Sequence, residues 1–415
     1  FYGDLSIDCH RLAARLGAPA RPGEQVLLAL PPGLDFVRAF WACVLCGCVA
    51  VPVPAPDPVR LLRSAPRLRG ILEDTGAALV WTAADLLDSA RQALEPSLFT
   101  AARWISSAEL ETVEPGMPGQ LPFVDADALA YLQYTSGSTL APRGVRISHG
   151  QALANVLALH VAGQLDTHSR TLTWLPHFHD YGLVCGLLVP FHAGATSWLM
   201  SPLTFLRRPL RWVEAVDALR ITHTGAPMSA YVACLRALAG APLASDLSSL
   251  VSLSCGAEPL RADAIERVLD VFGAAGLRPE AFMPAYGMAE TVLGVTLSTT
   301  HRPPRMLVLD AHALQQDRVL PARCDGAGAV RIVGCGLPLM HTTLRIVDPA
   351  TGVVAAPDAV GEIWVQSPSV GQGYWRQPEL TEAGFGARLA GVDGPFLRTG
   401  VLGFRAGREL FVTGR

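Results

Sequence analysis

Lysine is absent from all 415 residues, so each of the 33 basic side chains is an arginine. Chemistry that needs a lysine ammonium must therefore come from outside this chain. Charge of either sign is sparse: 17% of residues are charged and the formal net charge is −3. That balance excludes both the basic footprint of a nucleic-acid surface and an acidic interaction tail. Long hydrophobic runs are missing too. The most extended, residues 39–54, falls short of the about 20 residues a membrane helix needs and ends among prolines, so no stable membrane insertion is expected. No secretory leader is visible, because residues 1–16 spread two Asp, a His and two Arg over an amphipathic pattern. The nine cysteines lack a disulfide-scaffold spacing and lie in apolar runs, which reads as reduced core thiols of a cytoplasmic protein. Cys43-x-x-Cys46-x-Cys48 has redox-motif spacing, but its unbroken apolar surroundings favour buried thiols.

What is present is apolar and globular. Half of the residues are hydrophobic, and the length suits roughly two to four domains. Over about the first 300 residues, short β-branched runs alternate with segments of helical period. Strands are expected at 26–30, 49–53, 78–81, 129–134, 171–175, 196–200, 221–223, 251–255 and 282–286. Helices are expected at 33–46, 61–75, 151–162, 210–219, 228–238 and 262–272. Such alternation implies an α/β architecture with largely parallel sheets. After residue 328 the helices thin out, and 330–333, 343–347, 362–365 and 410–413 look like short strands of a β-rich subdomain covering 330–415. Residues 301–329 are polar, contain Pro and Arg, show no clear period, and read as an inserted segment.

The strongest local signal is Tyr134-Thr-Ser-Gly-Ser-Thr139, followed by Pro142-Arg-Gly-Val145. A strand there runs into a turn of small hydroxyl residues and glycine, which can aim backbone N–H groups and hydroxyls at a cluster of anionic oxygens. An ordinary surface turn is the plain alternative. A Walker A loop is excluded, since its G-x-x-x-x-G-K-[ST] pattern needs a lysine. Gly256-Ala-Glu-Pro259 and Tyr286-Gly-Met-Ala-Glu290 each put a glycine turn and a carboxylate at the carboxyl end of a strand, where open α/β sheets bind ligands. Either alone is as easily a helix start with a glutamate in its first turn. Beside the phosphate-type turn, they converge on a nucleotide. His177-Phe-His179-Asp180 does not have the spacing of an H-x-H-x-D metal cluster, and Trp174, Phe178 and Tyr181 read as core or pocket wall.

Taken in order, the motifs at 134–139, 179, 256–259, 286–290, 361–364, 397–400 and 414–415 resemble those of the adenylate-forming (acyl/aryl-CoA synthetase, luciferase-like) superfamily over nearly the whole chain. Trp174-Leu-Pro-His-Phe-His-Asp-Tyr-Gly-Leu183 is similar to the fatty acyl-AMP ligases, whose version carries His-Asp before a glycine. Residues 301–329, ahead of Arg331-Ile-Val-Gly-Cys-Gly336, sit where that subfamily has its insertion. The resemblance implies an N-terminal domain of two stacked, mostly parallel αβ subdomains over 1–328, then the β-rich subdomain ending at a hinge. It also implies a separate C-terminal domain, absent here, that carries a catalytic lysine.

The same resemblance implies roles for single residues. Thr135, Ser136, Gly137, Ser138 and Thr139 would hold the phosphates of ATP, with Arg143 in place of the usual lysine. Gly256, Ala257 and Glu258 would line one face of the adenine, and Tyr286, followed by Gly287, Met288 and Ala289, the other. Glu290 would hold Mg²⁺ together with Thr139. His179 would sit where the nucleotide and carboxylate meet, which makes His179 and Glu290 the expected catalytic residues. Asp180, Gly182, Met228 and Tyr231 would border the acyl substrate. Arg415 would approach the ribose, and Val401 stands where the family has a ribose-binding Asp. Hydrogen bonds to a charged group contribute roughly 1.5–3 kcal/mol, so that exchange is expected to weaken nucleotide binding about ten- to a hundredfold.

The implied activity joins a fatty acid to ATP as fatty acyl-AMP plus pyrophosphate. The acyl group would pass to the phosphopantetheine arm of an acyl carrier protein in lipid, polyketide or lipopeptide synthesis. Bringing a carboxylate onto the α-phosphate of a tetra-anion is largely an electrostatic problem, suited to oriented N–H groups, a metal and cations in a site that excludes water. Two alternatives remain open at this point. One is an acyl-CoA synthetase or amino-acid adenylation domain, where Asp180 would meet a substrate ammonium. The other is a non-catalytic acyl- or nucleotide-binding module, suggested by Val401 and the missing lysine.

Overall fold

The computed structural model describes residues 2–56, 61–93, 96–114, 121–135, 143–322, 326 and 328–414. Its contacts divide the chain into two compact units, one of residues 1–153, 176–183 and 371–378, the other of 154–175, 184–370 and 379–415.

The first unit is built on a six-stranded sheet. Its strands are β1 (Gln25–Ala29), β2 (Val49–Pro52), β3 (Leu79–Thr82), β4 (Arg103–Ser106), β5 (Leu129–Thr135) and β6 (Arg143–Ser148), in the order β4-β3-β1-β2-β5-β6. All neighbours are parallel except β5 and β6. Parallel strands covered on both faces need continuous apolar runs, and Val26, Leu27, Leu28 and Ala29 are all fully buried. Leu27, Val51, Val80, Leu132 and Tyr134 belong to one core cluster, which also takes in Ile71 and Leu72 of the helix Leu61–Thr75.

In the second unit, β7 (Arg170–Thr173), β8 (Thr196–Leu199), β9 (His223–Ala226), β10 (Ser252–Cys255) and β11 (Phe282–Gly287) run parallel, and β12 (Gly294–Leu297) turns back antiparallel on β11. The hairpin of β13 (Met306–Asp310) and β14 (Ala329–Val333) follows, and β15 (Leu337–Pro338) completes the seven-stranded sheet β15-β12-β11-β10-β9-β7-β8. A four-stranded antiparallel sheet of β16 (Thr343–Val347), β17 (Gly361–Gln366), β18 (Leu397–Ala406) and β19 (Glu409–Gly414) closes the unit. The molecule is therefore α/β with two mainly parallel sheets and smaller antiparallel ones.

Three differences from the sequence reading have local causes. The strand expected at 221–223 begins only at His223, because Arg220 takes a left-handed conformation (φ 50°) that ends the preceding helix, and Ile221 still bonds back to Val216. Within 301–329, read as an inserted segment without clear period, the described residues form regular elements. Met306–Asp310 pairs residue for residue with β14, and Asp310 then caps the helix Ala311–Gln315 through the N–H of Ala313 at 2.8 Å. The helix Ser107–Thr112 also went unread, although Ser106 and Glu109 form a reciprocal capping box.

Cys43, Cys46 and Cys48 are buried, as expected for core thiols, and burial raises the Cys43 thiol. Among the described residues no helix is long and apolar enough to cross a membrane.

Candidate active site

The expected site residues divide between the units. Thr135, Arg143, His179, Asp180 and Gly182 belong to the first; Met228, Tyr231, Gly256, Ala257, Glu258, Tyr286, Gly287, Met288, Ala289, Glu290 and Val401 belong to the second. Ser136, Gly137, Ser138, Thr139 and Arg415 lie outside the described residues.

In the first unit, Thr135 ends β5 and Arg143 begins β6, and the two are register partners. Arg143 lies over Tyr374, its guanidinium carbon 5.7 Å from the ring centre. The hairpin is fixed by Tyr134, whose hydroxyl donates to Asp74 at 2.5 Å. Burial pushes the Tyr134 phenol up, so it remains a donor. Its ring fills the space beside Gly144, where a Cβ would stand 2.9 Å from it.

The segment Pro176–Leu183 packs in the same unit. His179 Nδ1 is 2.5 Å from Asp180 Oδ1, and that hydrogen bond raises the pKa of the imidazole. The same Asp180 oxygen accepts from the Tyr181 N–H at 2.6 Å. Asp180 is thus buried and already engaged within its own segment. Gln133 of β5 supports the segment by donating to the Phe178 carbonyl at 2.8 Å. Among the described residues the buried Tyr131 hydroxyl and Gln133 Oε1 find no hydrogen-bond partner. Burial pushes His177 down to about 4, weakly opposed by the Gly182 backbone, so its ring is neutral at pH 7.

In the second unit, Gly256 follows β10 with its Cα pressed on the Ala285 carbonyl, a Cβ there standing 3.2 Å from the oxygen. Ala257 adopts φ +66°, a conformation L residues seldom take. Glu258 reaches to the helix Met228–Leu238, accepting from the Ser229 N–H at 2.7 Å and its hydroxyl at 2.9 Å. That helix starts after Pro227 with no side-chain cap of its own, so Glu258 supplies the anion its N-terminus favours. Tyr231 on the helix is fully buried. Its hydroxyl donates to the Ser254 carbonyl at 2.7 Å, and its ring stands edge-on to Trp212 and Phe282. It is a core residue with no exposed face; Met228 is 3% exposed. Trp174 stacks on Phe205 at 3.8 Å, a core position as expected.

The turn after β11 is tightly determined. A Cβ on Gly287 would stand 1.9 Å from the Leu293 carbonyl, so only glycine fits. Met288 donates to that carbonyl at 2.8 Å, Thr291 Oγ donates to the Met288 carbonyl at 2.9 Å, and Val292 takes φ +68°. Glu290 is half-buried within the short helical turn Ala289–Thr291. A residue the sequence did not single out anchors this turn. Asn155, 1% exposed, donates to the Gly294 carbonyl at 2.8 Å and accepts from the Gly294 N–H at 3.0 Å.

Val401 lies on β18, 6% exposed, in an apolar cluster with Val295, Ile363, Leu397 and Leu410, against which Tyr286 and Met288 pack. The bend just before it is clamped by buried Glu362. This carboxylate takes hydrogen bonds from Trp364 Nε1 at 3.0 Å, Arg398 Nε at 3.1 Å and the Gly400 N–H at 3.0 Å. Burial alone would raise the Glu362 carboxyl; the three donors outweigh it and hold the pKa below the usual value.

Among the described residues no three His, Cys, Asp or Glu side chains gather into a metal cage. Magnesium is commonly held instead by one or two carboxylates plus substrate phosphates. Glu290 offers one such oxygen donor on a backbone-fixed turn, and so fits that mode of binding.

A family model described as AMP-binding enzyme matches residues 2–375. A medium-chain-fatty-acid–[acyl-carrier-protein] ligase of Moorena producens, JamA, is 40% identical over all of this chain and 71% of its own length. The long-chain-fatty-acid–AMP ligase FadD26 of Mycobacterium marinum is 32% identical over 95% of this chain and 69% of its own. Among solved structures, a fatty acyl-adenylate ligase of Legionella pneumophila in complex with acyl adenylate and pyrophosphate superposes with a TM-score of 0.90 at 35% identity, over 100% of this chain and 71% of that one. Matches of this extent and identity place the chain in the AMP-binding enzyme family, among its fatty acyl-AMP ligases.

Proposed function

We propose that this chain activates a fatty acid with ATP, forming fatty acyl-AMP and pyrophosphate, and that the acyl group then passes to the phosphopantetheine thiol of an acyl carrier protein in the cytoplasm. The observation that carries this reading is the likeness, over the whole chain, to a fatty acyl-adenylate ligase that holds acyl adenylate and pyrophosphate. In the reaction a carboxylate oxygen bonds to the α-phosphorus, the α–β bridging P–O bond breaks, and pyrophosphate leaves with its electron pair. The main barrier is the meeting of anions, which preorganised positive charge and oriented donors lower.

In this reading Arg143 contacts the phosphates, and His179 is held by Asp180 through Nδ1 so that its orientation is fixed. The backbone of Gly256 and Ala257 and the ring of Tyr286 take the adenine. Glu290 and Thr139 would hold Mg²⁺, which when bound neutralises phosphate charge. Asp180 also bears on the amino-acid alternative. A carboxylate meant for a substrate ammonium would have to give up its bonds to His179 and the Tyr181 N–H.

Incubation with ATP, magnesium and either fatty acids or amino acids, with the adenylates resolved by mass spectrometry, tests the reading. Fatty acyl-AMP as the product supports it, and a preference for aminoacyl-AMP contradicts it. A second reading, a nucleotide-binding module without turnover, is favoured by Val401, which brings no hydrogen-bond acceptor to the ribose position.

A further inference from the structure

A stretch distant in sequence is zipped onto the phosphate hairpin. Residues 371–376 run along the outer edge of β6, within the first unit. Gln372 donates to the Arg146 carbonyl at 2.9 Å, Arg146 donates to the Gly373 carbonyl at 2.9 Å, and Trp375 donates to the Gly144 carbonyl at 2.7 Å. Tyr374 forms an antiparallel bridge with Val145. Both ends of the strap are tied: Gln372 donates through its side chain to the Asp127 carbonyl at 2.9 Å, and Arg376 donates to the Asp74 carbonyl at 3.2 Å. Trp375 packs against the core cluster behind the sheet. Gly371 allows the close approach, since a Cβ there would stand 3.0 Å from the Arg146 carbonyl oxygen.

This docking delivers the Tyr374 ring to Arg143, 5.7 Å from the guanidinium carbon. Among the described residues no carboxylate pairs with Arg143. A guanidinium is flat and weakly hydrated, and it rests on an aromatic face more readily than an ammonium does. In a chain without lysine, the ring and the arginine form a matched pair. We propose that Tyr374 is a positioning residue: it holds the Arg143 guanidinium at the start of β6 and so sets the affinity for the β- and γ-phosphates of ATP. The proposal rests on the reading of Arg143 as a phosphate contact.

Calorimetry with MgATP and with AMP separates the two, using the wild-type chain, Tyr374→Leu, Tyr374→Phe, Arg143→Ala and the Leu/Ala double variant. Arg143→Ala is expected to weaken MgATP about tenfold or more and to leave AMP unchanged. Tyr374→Leu is expected to weaken MgATP about two- to fivefold, again sparing AMP. Tyr374→Phe, which keeps the ring, restores the affinity, and the double variant binds no worse than Arg143→Ala alone. If Arg143→Ala weakens MgATP while Tyr374→Leu does not, the positioning role is overturned and the reading of Arg143 stands. Losses that add in full, or that strike AMP equally, also overturn it, because they mark a strap that only supports the fold. If Arg143→Ala leaves MgATP binding intact, or the wild-type chain binds no MgATP, the underlying reading falls and the proposal with it.

Discussion

His177 is buried against Phe36, ring centres 5.1 Å apart. Its pKa of about 4 in the fold, against 6.5 for the unperturbed side chain, makes stability depend on pH. Between those values the unfolded chain binds the proton and the folded chain does not, so stability is lost as pH falls from about 6.5 towards 4. The full shift corresponds to about 3 kcal/mol. His223 is likewise lowered by burial and adds in the same direction. Urea melts of the His177→Leu variant are expected to lose less stability between pH 7 and pH 5 than those of the wild type; an unchanged difference would contradict this. Val401 makes a second prediction at this scale. Val401→Asp places a carboxylate in an apolar cluster and is expected to destabilise the fold by about 1–3 kcal/mol, while tightening MgATP binding about tenfold. A lower melting temperature with no gain in nucleotide affinity would show that this position does not meet the ribose. Gly256 and Glu290 stand out as candidates in the sequence because each sits in a glycine turn at the carboxyl end of a strand. Tyr231, expected to border the acyl substrate, is fully buried and donates to the Ser254 carbonyl, a long-range contact that a single sequence does not mark.

The turn from β11 to β12 shows how an element is held. Gly287 admits no side chain, Val292 is in a left-handed conformation, and Asn155 satisfies both backbone groups of Gly294. Removing the amide leaves a buried N–H and a buried C=O unpaired. Asn155→Ala is therefore expected to lower stability by about 2–4 kcal/mol in urea melts. Asn155→Asp, which keeps only an acceptor, is expected to fall between. A loss no larger than that of an exposed substitution would contradict the anchoring role. Neither Asn155 nor Glu362 was legible in advance. Their partners, Gly294 and Arg398, are 139 and 36 residues away, and a single sequence carries no mark of such pairs. Strands and helices with a strong period were read to within a residue or two, as with the helix Met228–Leu238 and β16. β13 was missed because its pairing partner, β14, comes only after the intervening helix Ala311–Gln315.

Across the whole chain, the alternation of short β-branched runs with segments of helical period foretold the mainly parallel sheets. The chain spans about 71% of the Moorena and Legionella relatives it matches. It contains no lysine, so binding reports on its own residues more directly than turnover does. The central claim is that one chain recognises an adenylate and a fatty acyl group joined together. Calorimetry with non-hydrolysable acyl-sulfamoyl-adenosines carrying C2, C12 and aminoacyl groups tests it most directly. The expected result is affinity that rises markedly from C2 to C12 and exceeds that of the aminoacyl version. Equal affinity for C2 and C12, or tighter binding of the aminoacyl compound, would contradict it.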